Sequence, residues 1–309
     1  MNVVFAGTPD FAATVLRGLA ASDHDVGLVI SQPDARRGRG RTQKATPVAG
    51  LARTLGLPLR QPARISEVFD EISSYDALVV AAYGQILRPD ILNVAKEGAW
   101  NVHASLLPKY RGAAPVERAI MDGEHQTGVT IIRMDEGLDT GPMALQRSVE
   151  ISPAMTGGEL TAVLAHLGAE AIVEVLNQIE AGEVNLTEQD SLYATYASKL
   201  SDEDLLIRWD AEAGEVRDLI RALSPHIGAR TYHLDVKGPI KIWRSRALEE
   251  KYSLEAGFIR EEYGRLFVGC GTGTLEVLEL QMPGAKRLAA QDYLRGNALG
   301  GAFNWQGRR

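Results

Sequence analysis

The sequence predicts an α/β protein in two parts, a parallel-sheet domain with helices on both faces followed by a small β-barrel. Three observations lead there. Short apolar runs alternate with helical stretches as far as Glu180. A polar segment without strong periodicity follows, from Ala181 to Asp204. From about Leu206 onward, short strand-like runs punctuated by glycine succeed one another. With 309 residues the chain is long for one hydrophobic core and comfortable for two. The expected division is a first domain over 1–182, a linker over 183–205 and a barrel domain over 206–309.

The elements follow in order. Asn2 to Ala6 reads as a strand running into Gly7, and Phe11, Val15, Leu16 and Leu19 then recur on one helical face. Val26 to Ile30 is the second strand, Ser31 to Thr46 a polar stretch rich in Gly and Arg, and Pro47 to Leu55 a helix. Ala77 to Ala82 is continuously apolar, as in a strand covered on both faces. Gly98 to Val102 is another strand, Thr127 to Met134 a later one, and Gly158 to Ile179 a long helix. Alternating strands and helices imply parallel pairing and place the active site at the carboxyl ends of the strands. Gly7, Tyr83 to Gly84, and Asn101 to His103 fall at such ends. In the second part the strands are Ala229 to Leu234, Ile240 to Ser245, Gly257 to Glu262, Arg265 to Cys270 and Thr274 to Gln281.

Composition narrows the class. The 45% hydrophobic and 24% charged fractions are those of a globular protein. The lone Cys270 cannot form an internal disulfide, fits a reducing compartment, and reads as core filler. The first residues, MNVVFAGTPDF, have neither the basic nor the apolar region of a signal peptide, and no apolar run reaches the roughly 20 residues of a membrane helix. A cytoplasmic protein is expected, with no membrane partner. The net charge of −7 argues against indiscriminate nucleic-acid binding. The charge is uneven, however: Arg208 to Arg309 carries 16 Lys and Arg against 13 Asp and Glu, whereas the first 207 residues carry 17 against 27. Such an asymmetry matters only if something else points to an anionic partner.

The chemistry concentrates in NVHASLLPKYRG, residues 101–112, and DEGLDTGP, residues 135–142. Asn101 and His103 are two apart on a strand, so their side chains share a face. A carboxamide and an imidazole there can bind a developing oxyanion and handle a proton. Asp139, between Gly137 and Gly141, can approach backbone or substrate closely and could orient the imidazole or relay a proton through water. On spacing alone the same residues could equally satisfy buried backbone groups, with Asp139 a turn residue.

The combined pattern is more specific. Asn101, His103, Ser105, Leu106, Leu107, Pro108 and Gly112, with Leu138, Asp139, Thr140 and Gly141, resemble the signature of the folate-dependent formyltransferases. FAGTPDFA, SQPD, GRGR, AAYGQIL, YRGAAPV and TGVTII extend the resemblance to the branch that acts on methionyl-tRNA, densely in the first domain. The second is covered more thinly, through AQD at Ala290 to Asp292. The resemblance implies a Rossmann-like domain and an oligonucleotide-binding-like (OB-like) barrel. It implies 10-formyltetrahydrofolate as donor, with no metal, and the α-amine of methionyl-initiator tRNA as acceptor. Asn101 and His103 would then stabilise the tetrahedral oxyanion, and Asp139 would hold His103 and help move the ammonium proton. Ser105, Leu106, Leu107 and Pro108 would line the folate site, with Tyr83, Gly84, Gln85, Ile86 and Leu87 as the opposite wall.

The stretch DARRGRGRTQK carries Arg36, Arg37, Arg39, Arg41 and Lys44 against Asp34 alone. By itself it could be a solvated loop. In the family a loop here meets the end of the acceptor stem, where arginine can fork onto phosphate or stack on a freed base. Arg39 is the leading candidate and Arg41 the second. The basic balance of the second domain would then serve the stem electrostatically. Two departures stand out: SPHIGARTYHL has fewer aromatics than many relatives, and Pro142 follows the Asp139 loop where some have Asp. The alternatives are a formyltransferase acting on a nucleotide-sugar amine or glycinamide ribonucleotide, a formyltetrahydrofolate hydrolase, and a non-catalytic RNA-binding module. A nicotinamide dehydrogenase is disfavoured, because Gly7-Thr8-Pro9 lacks the glycine triplet for pyrophosphate. Nothing in the sequence demands more than a monomer.

Overall fold

The computed structural model describes residues 1–37, 42–248 and 252–304. They fall into two compact units, one of Met1–Pro115, Gln126–Glu150 and Thr161–Ser198, the other of Val116–His125, Ile151–Leu160 and Lys199 onward. The chain is thus shared between the units by interleaved segments rather than by a single cut.

The elements associated with the first unit are β1 (Asn2–Gly7), α1 (Asp10–Ala20), β2 (Asp25–Ile30), β3 (Ala35–Arg37), β4 (Thr42–Lys44), α2 (Pro47–Leu55) and β5 (Leu59–Arg60). They continue through α3 (Phe69–Ile72), β6 (Ala77–Ala81), α4 (Pro89–Leu92), β7 (Ala99–His103), β8 (Arg111–Gly112), β9 (Gln126–Arg133), β10 (Met143–Glu150), α6 (Gly157–Ala181) and β11 (Tyr196–Ala197), and α5 (Pro115–Met121), which follows β8, groups with the second unit beyond Pro115. Seven strands form one sheet in the order β10-β9-β7-β6-β1-β2-β5. The five from β7 to β5 are parallel; the apolar runs of β1, β2, β6 and β7 predict this, whereas the two-residue β5 has no such run. The last two are not. β9 runs antiparallel to β7, and β10 antiparallel to β9. The connection from β7 to β9 carries only the short α5 rather than a long crossover helix, and β9 returns as an antiparallel neighbour.

One face of this sheet buries Val4, Ala6, Leu28, Ile30, Leu78 and Val80 with Ile65, Ile72 and Ile91. Behind β7, α6 approaches unusually closely. A Cβ on Gly168 would lie 2.6 Å from Val102 Cγ1. Val102 points to that face by strand alternation, which turns Asn101 and His103 together to the other.

The second unit adds α7 (Ala213–Ala222), β12 (Ala229–His233), β13 (Ile240–Leu248), β14 (Ile259–Glu262), β15 (Arg265–Gly269), β16 (Thr274–Gln281), β17 (Arg287–Ala289), α8 (Ala290–Leu294) and β18 (Phe303–Asn304). The antiparallel path is β14-β15-β16-β13-β12-β18, with β17 on β16. Its two ends meet: Ile259 N–H donates to Gly301 O at 2.9 Å and Phe303 N–H to Gly257 O at 2.8 Å. The result is a nearly closed barrel, which removes the exposed edges an open sheet would carry. Its core packs Trp209, Ile242, Leu266, Val277, Leu280 and Phe303. The Trp209 and Phe303 rings stack at 5.6 Å, and Trp209 Nε1 donates to Thr231 Oγ1 at 2.9 Å, so the buried indole keeps its hydrogen bond.

Among the described residues no helix is long and apolar enough to cross a membrane. Cys270 lies in the barrel core, and burial pushes its thiol up to about 12. The native protein is therefore expected to resist iodoacetamide at pH 7.5 and to label only after denaturation, as read by intact mass. Rapid labelling of the folded chain would contradict this packing.

Candidate active site

β7 ends at His103, and the chain then turns through Ala104 to Arg111 into β8. The turn is tied to β9 and β10 by side chains. Thr130 Oγ1 donates to Ser105 O at 2.7 Å and accepts from Leu107 N–H at 3.1 Å, while Gln146 Nε2 donates to Leu107 O at 2.8 Å. Ser105 Oγ donates to Lys109 O at 2.6 Å. These bonds satisfy a loop that lacks a ladder of its own.

The catalytic candidates come together on this scaffold. The loop Met134–Pro142 folds back over β7, braced by Asp135, whose Oδ1 accepts from Thr140 Oγ1 at 2.7 Å and Gly137 N–H at 3.1 Å. Asp139 holds a left-handed backbone, φ 53°. Its Oδ1 accepts from Asn101 Nδ2 at 3.2 Å, and its Oδ2 accepts from Gly112 N–H at 2.9 Å and lies 3.6 Å from His103 Nδ1. His103 Nε2 lies 2.9 Å from Tyr110 O. A carbonyl can only accept, so Nε2 carries the proton and Nδ1 is the nitrogen turned toward Asp139. The His103 and Asp139 side chains are 6% and 13% exposed, dry enough to strengthen every charge interaction yet open on one side. Asn101 uses one amide hydrogen on Asp139 and keeps the other for a ligand.

Two further residues, Gln189 and Arg111, complete the site, and sequence reasoning missed them. Gln189 Nε2 donates at 2.8 Å both to Asp139 O and to Gly141 O, while its Oε1 accepts from Arg111 Nε at 3.1 Å and Nη2 at 2.8 Å. Gly112 has φ 120°, and a Cβ there would sit 2.8 Å from Ala197 O, so β8 and β11 pair only because this residue is glycine. Gln189 and β11 belong to the polar segment after α6, where no local periodicity signals a role.

The other predicted positions divide. Tyr83 is buried, with an unpartnered hydroxyl, and burial with the nearby Glu67 pushes its phenol up to about 12. Its carbonyl accepts from Thr8 Oγ1 and Gln32 Nε2, both at 2.9 Å. Gly84 has φ 85°, Gln85 caps Ile65 N–H at 3.2 Å, Leu87 is buried, and Ile86 is 96% exposed. Only Ile86 and the backbone of this loop are free to face a ligand. Ser105 and Leu107 are buried, and Leu106 and Pro108 are half-buried. Leu138, part of the motif beside Asp139, is an exposed apolar neighbour. Arg36 and Arg37 lie on β3, and Lys44 on β4, of an antiparallel hairpin that leaves the carboxyl end of β2. Arg39 and Arg41 lie outside the described residues. Asp34 anchors the hairpin base: the amide of Gln61, at 2.6 Å, holds its carboxyl below the usual carboxylate range, with Thr46 N–H and Arg53 assisting. Among the described residues no group of His, Cys, Asp and Glu could hold a metal.

Comparisons with known proteins give the family. Residues 1–176 match the family model "Formyl transferase", and residues 199–298 match "Formyl transferase, C-terminal domain". The chain belongs to the formyl transferase family. Among curated members, the methionyl-tRNA formyltransferase of Rubrobacter xylanophilus is 65% identical over 98% of this chain and 99% of its own. That of Pelotomaculum thermopropionicum is 45% identical over 97% and 96%. Two solved structures share the fold. The N-formyltransferase of Helicobacter canadensis, in complex with folinic acid and dTDP-3-aminofucose, has TM-score 0.67 at 19% identity over 89% of this chain and 98% of its own. HypX of Aquifex aeolicus, in complex with tetrahydrofolic acid, has TM-score 0.67 at 15% identity over 94% and 46%.

In this formyl transferase, Gln189→Glu keeps an acceptor for Arg111 but sets a carboxylate oxygen against two carbonyl oxygens. The expected result is a fall in kcat of about a hundredfold, from misplacing the Asp139 loop, with melting temperature nearly unchanged. Unchanged turnover would show that the brace is dispensable.

Proposed function

We propose that this chain transfers the formyl group of 10-formyltetrahydrofolate to the α-amine of methionyl-initiator tRNA, giving N-formylmethionyl-tRNA for translation initiation in the cytoplasm. The observation that carries the reading is the junction of Asn101, His103 and Asp139 on one face at the end of β7, in a chain that matches methionyl-tRNA formyltransferases along almost its entire length.

The free amine attacks the formyl carbon, the new C–N bond forms, and the carbonyl oxygen takes up charge. The second amide hydrogen of Asn101 and the Nδ1 side of His103, once protonated, converge on that oxygen and bind it more strongly as charge develops. When the bond from the formyl carbon to the folate nitrogen breaks, the proton lost by the amine is delivered to that nitrogen. Asp139 keeps His103 oriented and accepts proton density in the exchange. Ile86 and Leu138 offer apolar contacts on the loops that flank this face, in keeping with a flat folate ring. The β3–β4 hairpin carries Arg36, Arg37 and Lys44, and the sequence stretch to which they belong, with Arg39 and Arg41, is suited to the acceptor stem. A monomer is part of this reading.

The test is formyl transfer from labelled 10-formyltetrahydrofolate, with methionyl-initiator and methionyl-elongator tRNA run in parallel. Label on the initiator alone is expected. His103→Ala and Asp139→Ala should each lower kcat by about two to three orders of magnitude while folate is still bound. Label on neither tRNA, with folate bound, would move the acceptor to a small amine or to water.

A further inference from the structure

Between Gln189 and Ala197 the chain is fastened at both ends to the catalytic loops. Gln189 grips Asp139 and Gly141. At the other end Arg111 N–H donates to Thr195 O at 2.9 Å, Tyr110 N–H to Thr195 Oγ1 at 2.9 Å, and Ala113 N–H to Ala197 O at 2.9 Å. The part between these ties exposes apolar surface. Leu192 is 91% exposed, Tyr193 69% and Tyr196 64%. In β11, Ala197 is buried and Tyr196, by alternation, faces out. Three large apolar side chains within five residues, on a backbone held this firmly, form a presented surface rather than a frayed one.

The chemistry of the segment narrows its occupant. Residues 185–198 contain Glu188 and Asp190 and no Lys or Arg, so phosphate is disfavoured. Aromatic rings with polar rims suit the uncharged faces of unpaired bases. The amine to be formylated arrives at the end of an unpaired nucleotide strand, and it must reach the face that Gly112 and Asp139 share with Asn101 and His103. β11 is paired directly to β8, which carries Gly112.

We infer that Tyr193 and Tyr196, with Leu192 beside them, stack the unpaired 3′-terminal nucleotides of the aminoacyl-tRNA and deliver its amine to the catalytic face. This rests on the function proposed above. Phosphates fall to the basic hairpin and bases to this platform, so the two surfaces respond differently to salt. Loss of a phosphate contact lowers the salt dependence of binding, whereas loss of a stacking contact leaves it unchanged.

The experiment measures kcat and KM for methionyl-initiator tRNA at several salt concentrations, and 10-formyltetrahydrofolate affinity without tRNA, for the full chain and for Tyr193→Ala, Tyr196→Ala and Tyr196→Phe. Each alanine variant should raise KM for the tRNA roughly tenfold, with kcat, folate affinity and salt slope retained. Tyr196→Phe should keep the original KM. Alanine variants indistinguishable from the parent would overturn the platform. An equal loss of folate affinity would assign these rings to the donor instead and would also overturn it. A parent enzyme inactive on the tRNA would remove the functional reading and the platform with it, whereas an active parent with unaffected variants would remove the platform alone.

Discussion

The Asp139 carboxylate is the point on which the site depends. It is bonded by the Asn101 amide and the Gly112 N–H and faces His103 Nδ1, and its own carbonyl is held by Gln189. These partners come from three separate stretches of chain. A carboxylate so enclosed is stable only while its donors stay in place. The placement of β7, β8 and the segment after α6 is therefore one requirement rather than three. The close approach of α6 at Gly168 secures β7 from behind, and the glycine at 112 lets β11 close against β8.

This arrangement prepares the site before substrate arrives. Donors already aimed at the place where charge will develop need little reorganisation during reaction. The Tyr110 carbonyl settles which nitrogen of His103 faces the site, and Tyr110 itself sits at φ 62°, a left-handed conformation fixed by the bond from its N–H to Thr195. The loop that sets the imidazole tautomer is thus the loop that ties down the segment bearing Tyr193 and Tyr196.

Much of the fold was legible because local pattern and tertiary environment agree. The runs at 77–82 and 274–281 are strands since their apolar residues are buried, and α2 spans Pro47–Leu55 as expected, with Thr46 capping its start and the left-handed Gly56 its end. Asn101 and His103 were legible through strand alternation and the motif around them. β10 was not. Most of its side chains are exposed or half-buried at the sheet edge, which erases the alternation that marks a strand. The antiparallel turn of β9 was hidden for a similar reason, since direction depends on the connection and not on the strand's own residues. Gln189 lay beyond reach entirely: its role is a long-range bond to backbone groups some 50 residues away in sequence, and an isolated polar residue carries no trace of that.

The account is tested most directly by nitrogen NMR of the protein labelled at its histidine rings, which reads the tautomer of neutral His103 in the parent and in Asp139→Asn. A proton on Nε2 in the parent, with the ring nitrogen signals displaced by Asp139→Asn, is the predicted result. A neutral ring protonated on Nδ1, or signals unmoved by the substitution, would contradict the central role given to Asp139.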